Sequence, residues 1–438
     1  MNRTITPTQL LQVFEHQTLC IGDEFNGYTF SKKHFHALAR YSEKHGGKYY
    51  KLLFNGVKFS HYVGAIQIGH LTIEILPKAD KKENADANQW HDVLMDMLKE
   101  CRLIKVETLA SARLQLRTNS ILELYFEIFL REIEKLLRKG LFRSYRKVAG
   151  NVKFLKGKLI FHKNIQKNFA HQERFYAEYQ QYDYDHLLNR ILRSALDVLE
   201  TLVLSPSLLS RVKEMKMYFP KARKRKFTER DFIQFTNNRK TSSYQTALEI
   251  ARLLVLNFSP DLRGGKHHLL AIMFDMNVLF EEYVFRQLKR LENADLEVKR
   301  QQRKPFFQRR KIQPDIVLTY FGKQYVLDTK WKVMRNAKPS MTDLKQIYVY
   351  NKYFKAERSL LLYPNVYEIK NLPPIPYHPT EKFPSKLKEN DEIMFCQICF
   401  LDIKLENKLN RNLGKDILRT LQEFAIPTHK VTSRSPYE

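Results

Sequence analysis

The sequence predicts a mixed α/β fold, α+β overall, with a mixed central sheet flanked by helices in its C-terminal part. Three observations lead there. Short β-favouring runs meet across tight turns at residues 62–76 and again at 316–327. The stretches 120–138 and 184–204 instead repeat apolar side chains at helical spacing. With 438 residues and 43% hydrophobic composition, the chain can bury substantial cores and is too long for one comfortable domain. Three segments are expected: an N-terminal mixed α/β domain over 1–150, a helical and basic region over 151–268, and a C-terminal core with its cover over 269–438.

In chain order, a helix is expected after Ser31, and a strand over 51–59 either ends near Asn55-Gly56 or continues past it. Residues 62–68 and 71–76 form a hairpin, because Gly69-His70 permits the reversal, and Pro77 ends it. The polar stretch 78–89 reads as an exposed loop before a helix over 90–101. Residues 120–138 form a packed helix with Leu124, Phe129, Ile133 and Leu137 on its apolar side. A basic connector over 140–157 then leads into a strand near 159–162. The next helix spans 184–204, with Asp185 and Asn189 as cap or packing partners. Charge accumulates over 213–226, including Lys224, Arg225 and Lys226, which reads either as a solvated loop or as a DNA-phosphate contact.

Helices are expected over 244–257 and 269–290, separated by Ser259-Pro260 and Gly264-Gly265. Gly264-Gly265-Lys266 is not a P-loop, since the upstream glycine is missing and His267 stands where a magnesium-binding hydroxyl would be needed. The chain is therefore expected to bind no nucleotide by itself. After the 316–327 hairpin, Ser340 or Thr342 caps a helix on which Gln346 and Tyr350, four residues apart, share a face. Strands at 359–363 and 392–403 extend the central sheet around a proline-rich excursion over 372–384, and a helix over 413–424 covers it.

Seventy-five basic against 47 acidic side chains give a net charge of +28, which favours a polyanionic partner. Four scattered cysteines exclude a disulfide framework and fit a reducing compartment. Cys396 and Cys399 lack a second CxxC, so they read as ordinary strand cysteines rather than zinc ligands. The first residues have no signal-peptide core and no stretch is a membrane span, so cytoplasmic placement and no membrane partner are expected.

The chemistry concentrates in KIQPDIVLTYFGKQYVLDTKWK, residues 311–332. Asp315 opens one strand of the hairpin, Phe321-Gly322-Lys323 bends it, and Asp328 and Lys330 close the other strand on one face. Two readings are open. The three charges form a solvated rim, or they form a metal-assisted hydrolytic centre in which paired carboxylates hold a hard divalent cation. In the second reading, the lysine orients or deprotonates water or offsets the negative field. Arg309, Arg310 and Lys311 lie just before Asp315 and supply a cationic approach for a phosphate backbone.

Pro314-Asp315, twelve intervening residues and Asp328-Thr329-Lys330 resemble the core of the PD-(D/E)xK nuclease superfamily. QPDIVL followed by VLDTKWK resembles the McrC family, the nuclease subunit of modification-dependent McrBC restriction systems. VGAIQIGHLTIEILPK from Val63 to Lys78 is similar to the family's N-terminal signature, and FDMNVLFEEYV from Phe274 to Val284 to its pre-catalytic helix.

The resemblance implies a PD-(D/E)xK core in which Asp315 and Asp328 bind Mg2+ or Mn2+ and Lys330 assists. Glu281, rather than Glu282, joins as a further metal ligand. Gln346 and Tyr350 resemble the Q-xxx-Y feature of RecB-like nucleases, with Gln346 contacting or orienting substrate and Tyr350 auxiliary or structural. It further implies double-stranded DNA as substrate and an N-terminal domain that docks on a hexameric McrB-like AAA+ GTPase. That partner uses the GTP and is stimulated by this chain, and cleavage falls on DNA containing modified cytosine. The rivals are a RecB-like repair or defence nuclease that works with another motor, and a non-catalytic DNA-binding scaffold.

Overall fold

The computed structural model describes residues 9–25, 28–78, 86–103, 120–220, 225–235, 239–260, 268–334, 338–377 and 394–424. The architecture is mixed α/β, with two main sheets bridged by a shared helix.

The first sheet has five strands. Strand β1 (Gln9–Phe14) runs parallel to β3 (Leu71–Leu76), which pairs antiparallel with β2 (Tyr62–Ile68). Every residue of β2 and β3 is buried, as expected of strands covered on both faces. Ile66, Ile68, Ile73 and Ile75 face a core that includes Ala37, Leu38 and Tyr41 of α1 (Lys32–His45), whose start is capped by Ser31. Val63 and Ala65 face the opposite, larger core with α2 (Ala87–Glu100) and α3 (Ile121–Lys139). Residues 50–59 fold as a second hairpin, Tyr50–Leu53 against Gly56–Phe59, so the 51–59 strand turns at Phe54-Asn55.

Several expectations for the middle of the chain change. The 140–157 connector contains a nine-residue strand, β4 (Ser144–Val152), paired along its whole length with β5 (Phe175–Asp183). The strand near 159–162 is confined to Lys158–Leu159, and a helix, Phe161–Asn168, follows at once. After α4 (Leu187–Leu202), part of the expected charged loop is instead the helix α5 (Pro206–Met217), because Ser205-Pro206 starts a turn and Leu208, Val212 and Met215 recur on a buried side. Asn189 does act in packing, donating to the carbonyls of Phe142 and Tyr184 at 2.8 Å each. Gly264-Gly265-Lys266 lies outside the described residues.

The helix expected over 269–290 divides after α6 (Gln245–Leu256). Its first part is strand β6 (Leu269–Asp275), antiparallel to β2, and only Met276–Lys289 is helix α7. An apolar run does not reveal its own conformation; here the open edge of β2 supplies backbone partners. Asp275 then caps α7 by accepting from the Asn277 N–H at 3.0 Å. Phe274 consequently belongs to the strand, while Met276, Leu279, Phe280, Tyr283, Val284 and Leu288 are the buried side chains of the helix in the large core.

The second sheet has six strands and mixed directions. Strands β7 (Leu296–Arg300), β8 (Ile316–Tyr320) and β9 (Lys323–Thr329) are antiparallel neighbours. Helix α8 (Met341–Phe354) then returns the chain so that β10 (Arg358–Pro364) runs parallel to β9, and β11 (Phe395–Leu401) parallel to β10. Ile375–Pro376, from the proline-rich excursion, closes the edge beside β11. Ile316, Leu318 and Leu327 face the core shared with α7, and Val317 and Val326 face the core under α8. Cys396 and Cys399 fall in different cores as free thiols, which supports their reading as strand residues. The C-terminal helix α9 (Leu413–Glu423) packs on α7. Among the described residues, no helix is long and apolar enough to cross a membrane.

Candidate active site

The β8–β9 hairpin turns through Phe321 and Gly322, both left-handed at φ 47° and 75°, a pair of angles that suits the twist of a two-residue hairpin. Its register pairs Ile316 with Leu327, so one step further Asp315 stands opposite Asp328 at the same end of the sheet. Lys330 follows β9 directly. The sequence spacing thus becomes a spatial cluster through strand pairing alone.

Asp328 is 1% exposed. The Lys330 ammonium stands 2.7 Å from its Oδ2. Apart from that ion pair, neither oxygen of Asp328 has a hydrogen-bond partner among the described residues. Burial, reinforced by the nearby Asp315 carboxylate and only partly offset by Lys330, raises the Asp328 pKa above the usual carboxylate range. Burial works against the charge on Lys330, yet Asp328, Asp315 and Asp343 outweigh it and hold the ammonium above the ordinary lysine value.

Neighbouring groups fix these side chains. Thr329 donates to Asp315 Oδ2 twice, from its backbone N–H at 2.7 Å and its hydroxyl at 2.8 Å. Lys330 Nζ donates to Gln346 Oε1 at 3.0 Å, and Gln346 Nε2 donates to the Tyr350 hydroxyl at 2.9 Å. Helix α8 therefore orients the lysine from above the sheet. Helix α7 brings Glu281 to the other side, where its Oε1 accepts from Arg300 at 3.0 Å and Gln301 at 2.9 Å. Burial, then the Asp315 charge, raises the Glu281 pKa. Glu282 pairs instead with Arg286 and Arg300.

A buried carboxylate met by a single ammonium among the described residues keeps oxygen lone pairs that a hard divalent cation would satisfy. Asp315 and Asp328 are the residues that could hold it. Among the described residues, no three His, Cys, Asp or Glu side chains gather into a ligand cluster, and Glu281 is engaged by Arg300 and Gln301. Further ligands to such an ion would have to come from water, backbone or substrate.

The basic residues occupy separate places. Arg309, Arg310 and Lys311 are exposed on and beside a small hairpin, Lys304–Phe307 against Arg310–Ile312, immediately before Pro314-Asp315. Lys226 is exposed, and Arg225 is bound to Asp231 at 2.5 Å. Lys224 lies outside the described residues. The sequence reading missed Thr329, which was visible inside Asp-Thr-Lys. It also missed Asp343, which holds Lys332 at 3.1 Å and accepts from the Tyr363 hydroxyl at 3.3 Å. Glu15, whose carboxylate accepts from the Trp331 indole at 2.7 Å, had no sequence signal.

The model of the family described as "McrBC 5-methylcytosine restriction system component" matches residues 57–364. The fold is similar to that of a chain in a refined half-complex from a tetradecameric assembly of Thermococcus gammatolerans McrB AAA+ hexamers with bound McrC. That similarity has 20% identity and a TM-score of 0.66 over 95% of this chain and 100% of that one. A chain from the Thermococcus gammatolerans McrBC complex determined by cryo-EM aligns at 20% identity and a TM-score of 0.48, over 65% of this chain and 89% of that one. No curated protein matches the chain.

Proposed function

This chain belongs to the McrBC 5-methylcytosine restriction system component family, and from that premise we propose that it is the McrC-type nuclease subunit, with a PD-(D/E)xK core that hydrolyses DNA phosphodiesters. The reading rests on one observation. Asp315, Asp328 and Lys330 converge at the end of the β8–β9 hairpin, with the Asp328 carboxylate buried and met by the Lys330 ammonium alone among the described residues.

Bound Mg2+ or Mn2+ would supply Lewis-acid stabilisation of the phosphate and an activated water. The protein's part is positional. Asp315 and Asp328 hold the cation, and Thr329 keeps Asp315 aimed. Lys330, held as an ammonium, offsets negative charge that grows on the phosphate, with Gln346 fixing its direction. Arg309, Arg310 and Lys311 draw the duplex backbone towards the acids. By analogy with the assembly that contains the similar chain, the partner is a McrB-like AAA+ hexamer. That ring uses GTP, is stimulated by this chain, and directs cleavage to DNA carrying modified cytosine.

The test is reconstitution with the candidate GTPase, using methylated and unmethylated duplexes, Mg2+, and GTP or ATP in parallel. Asp328→Asn should lower cleavage by on the order of a hundredfold or more, while nucleotide hydrolysis by the ring stays near wild type. Cleavage that persists in the Asp328→Ala/Lys330→Ala double variant would overturn the site. Equal support of cleavage by ATP would point to a RecB-like system with another motor.

A further inference from the structure

Glu15 lies at the end of β1, is 4% exposed, and is far from the candidate centre in sequence. Its backbone N–H donates to the Leu76 carbonyl at 2.9 Å, tying it to the end of β3. Its Oε1 accepts two bonds, from the backbone N–H of Lys78 at 3.0 Å and from the Trp331 indole N–H at 2.7 Å. One carboxylate oxygen thus joins the N-terminal sheet to the residue next to Lys330.

The remaining contacts give that joint a direction. Trp331 is 8% exposed and meets Phe280 edge to face, with ring centroids 5.2 Å apart. Phe280 is the helical neighbour of Glu281, as Trp331 is the neighbour of Lys330. The loop itself is tight: the Lys330 N–H donates to the Leu362 carbonyl at 2.9 Å, and the Lys332 N–H donates to the Lys330 carbonyl at 2.9 Å. With the backbone held at both sides of Lys330, displacement of the indole is transmitted to the lysine rather than absorbed by a flexible loop. Loss of the indole bond would leave the buried Glu15 carboxylate with the Lys78 N–H as its one remaining donor on Oε1, beside Oε2, which has no hydrogen-bond partner among the described residues.

We infer that Glu15 and Trp331 are positioning residues for Lys330 and Glu281, through which the N-terminal part of the chain sets the geometry of the nuclease centre. This rests on the nuclease reading above. It adds a physical link between the half expected to dock and the half expected to cut.

The test uses the full chain reconstituted with its AAA+ partner and compares wild type, Glu15→Ala, Glu15→Gln and Trp331→Phe. Trp331→Phe keeps an aromatic ring and loses only the N–H donor, and Glu15→Gln keeps an acceptor for both N–H groups. Glu15→Ala and Trp331→Phe are expected to lower kcat for cleavage on the order of tenfold or more, because small misplacements of a catalytic group are amplified in rate. The KM for DNA and the nucleotide hydrolysis rate should stay within about twofold, and Glu15→Gln should recover most of kcat. Unchanged cleavage in both Glu15→Ala and Trp331→Phe would overturn the inference. So would losses of cleavage, nucleotide hydrolysis and melting temperature that move together without recovery in Glu15→Gln, since that pattern marks a structural joint alone. A wild-type complex that cuts no DNA would instead remove the nuclease reading, an outcome visible before any variant is compared.

Discussion

At Glu15, burial, only partly offset by bonds from Trp331 and Lys78, pushes the carboxyl from its ordinary value of 4.5 up to about 7. The folded state therefore holds this proton more tightly than the unfolded chain does. The group's contribution is most favourable below 4.5 and is lost as pH rises to about 7, because ionising it then costs more in the fold than in water. A shift of that size corresponds to on the order of 3 kcal/mol. Glu15→Gln removes the titration, so its melting temperature relative to wild type should rise between pH 5 and pH 8. Parallel thermal melts of the two proteins check this, and a difference that is flat with pH would contradict it. Lys330 also holds its proton more tightly in the fold, but for the opposite electrostatic reason, its charge being favoured by Asp328, Asp315 and Asp343 against burial.

Element boundaries depend on similarly local constraints. Gly64 in β2 has φ +137°, and a Cβ there would lie 2.2 Å from the Ile272 carbonyl oxygen of β6. That oxygen belongs to backbone in a sheet and has no rotamer through which to yield. Gly64→Ala should therefore lose on the order of 2–4 kcal/mol in urea denaturation, by combining strain with a broken strand approach. Gly150 in β4 has open space where its Cβ would go, so Gly150→Ala serves as the contrasting variant and should change stability by less than about 1 kcal/mol. The same β2–β6 pairing explains why residues 269–275 form a strand. Their apolar run was legible as core, but its extended conformation depended on β2, some two hundred positions earlier in the chain.

For the whole molecule, the charge of +28 predicts strongly salt-dependent DNA association. The basic groups are not equivalent. Arg309, Arg310 and Lys311 precede the acid pair directly, whereas Arg225 already shares its charge with Asp231. Replacing Arg309, Arg310 and Lys311 with Ala should weaken DNA binding similarly for all sequences and reduce the slope of log affinity against log salt by roughly one for each phosphate that is no longer neutralised. Arg225→Ala should change it less. Fluorescence anisotropy with several unrelated duplexes across a salt series measures both effects, and a loss confined to one sequence would argue for base reading instead.

The sequence by itself determined the local pieces of this protein. Alternation and turn residues specified the β2–β3 and β8–β9 hairpins, and helical spacing set Gln346 one turn before Tyr350, where the two now share a 2.9 Å hydrogen bond. The order of Asp315, Asp328 and Lys330 around a short hairpin was enough to bring them together, because antiparallel pairing places the start of one strand beside the end of the next. Tertiary structure alone decided what surrounds them. The Glu281 environment required α7 to lie between two sheets, and the Glu15–Trp331 bond required two segments 316 positions apart to meet. Such meetings have no local periodicity to announce them: they exist only after separate hydrophobic faces have packed and buried polar groups have found their partners.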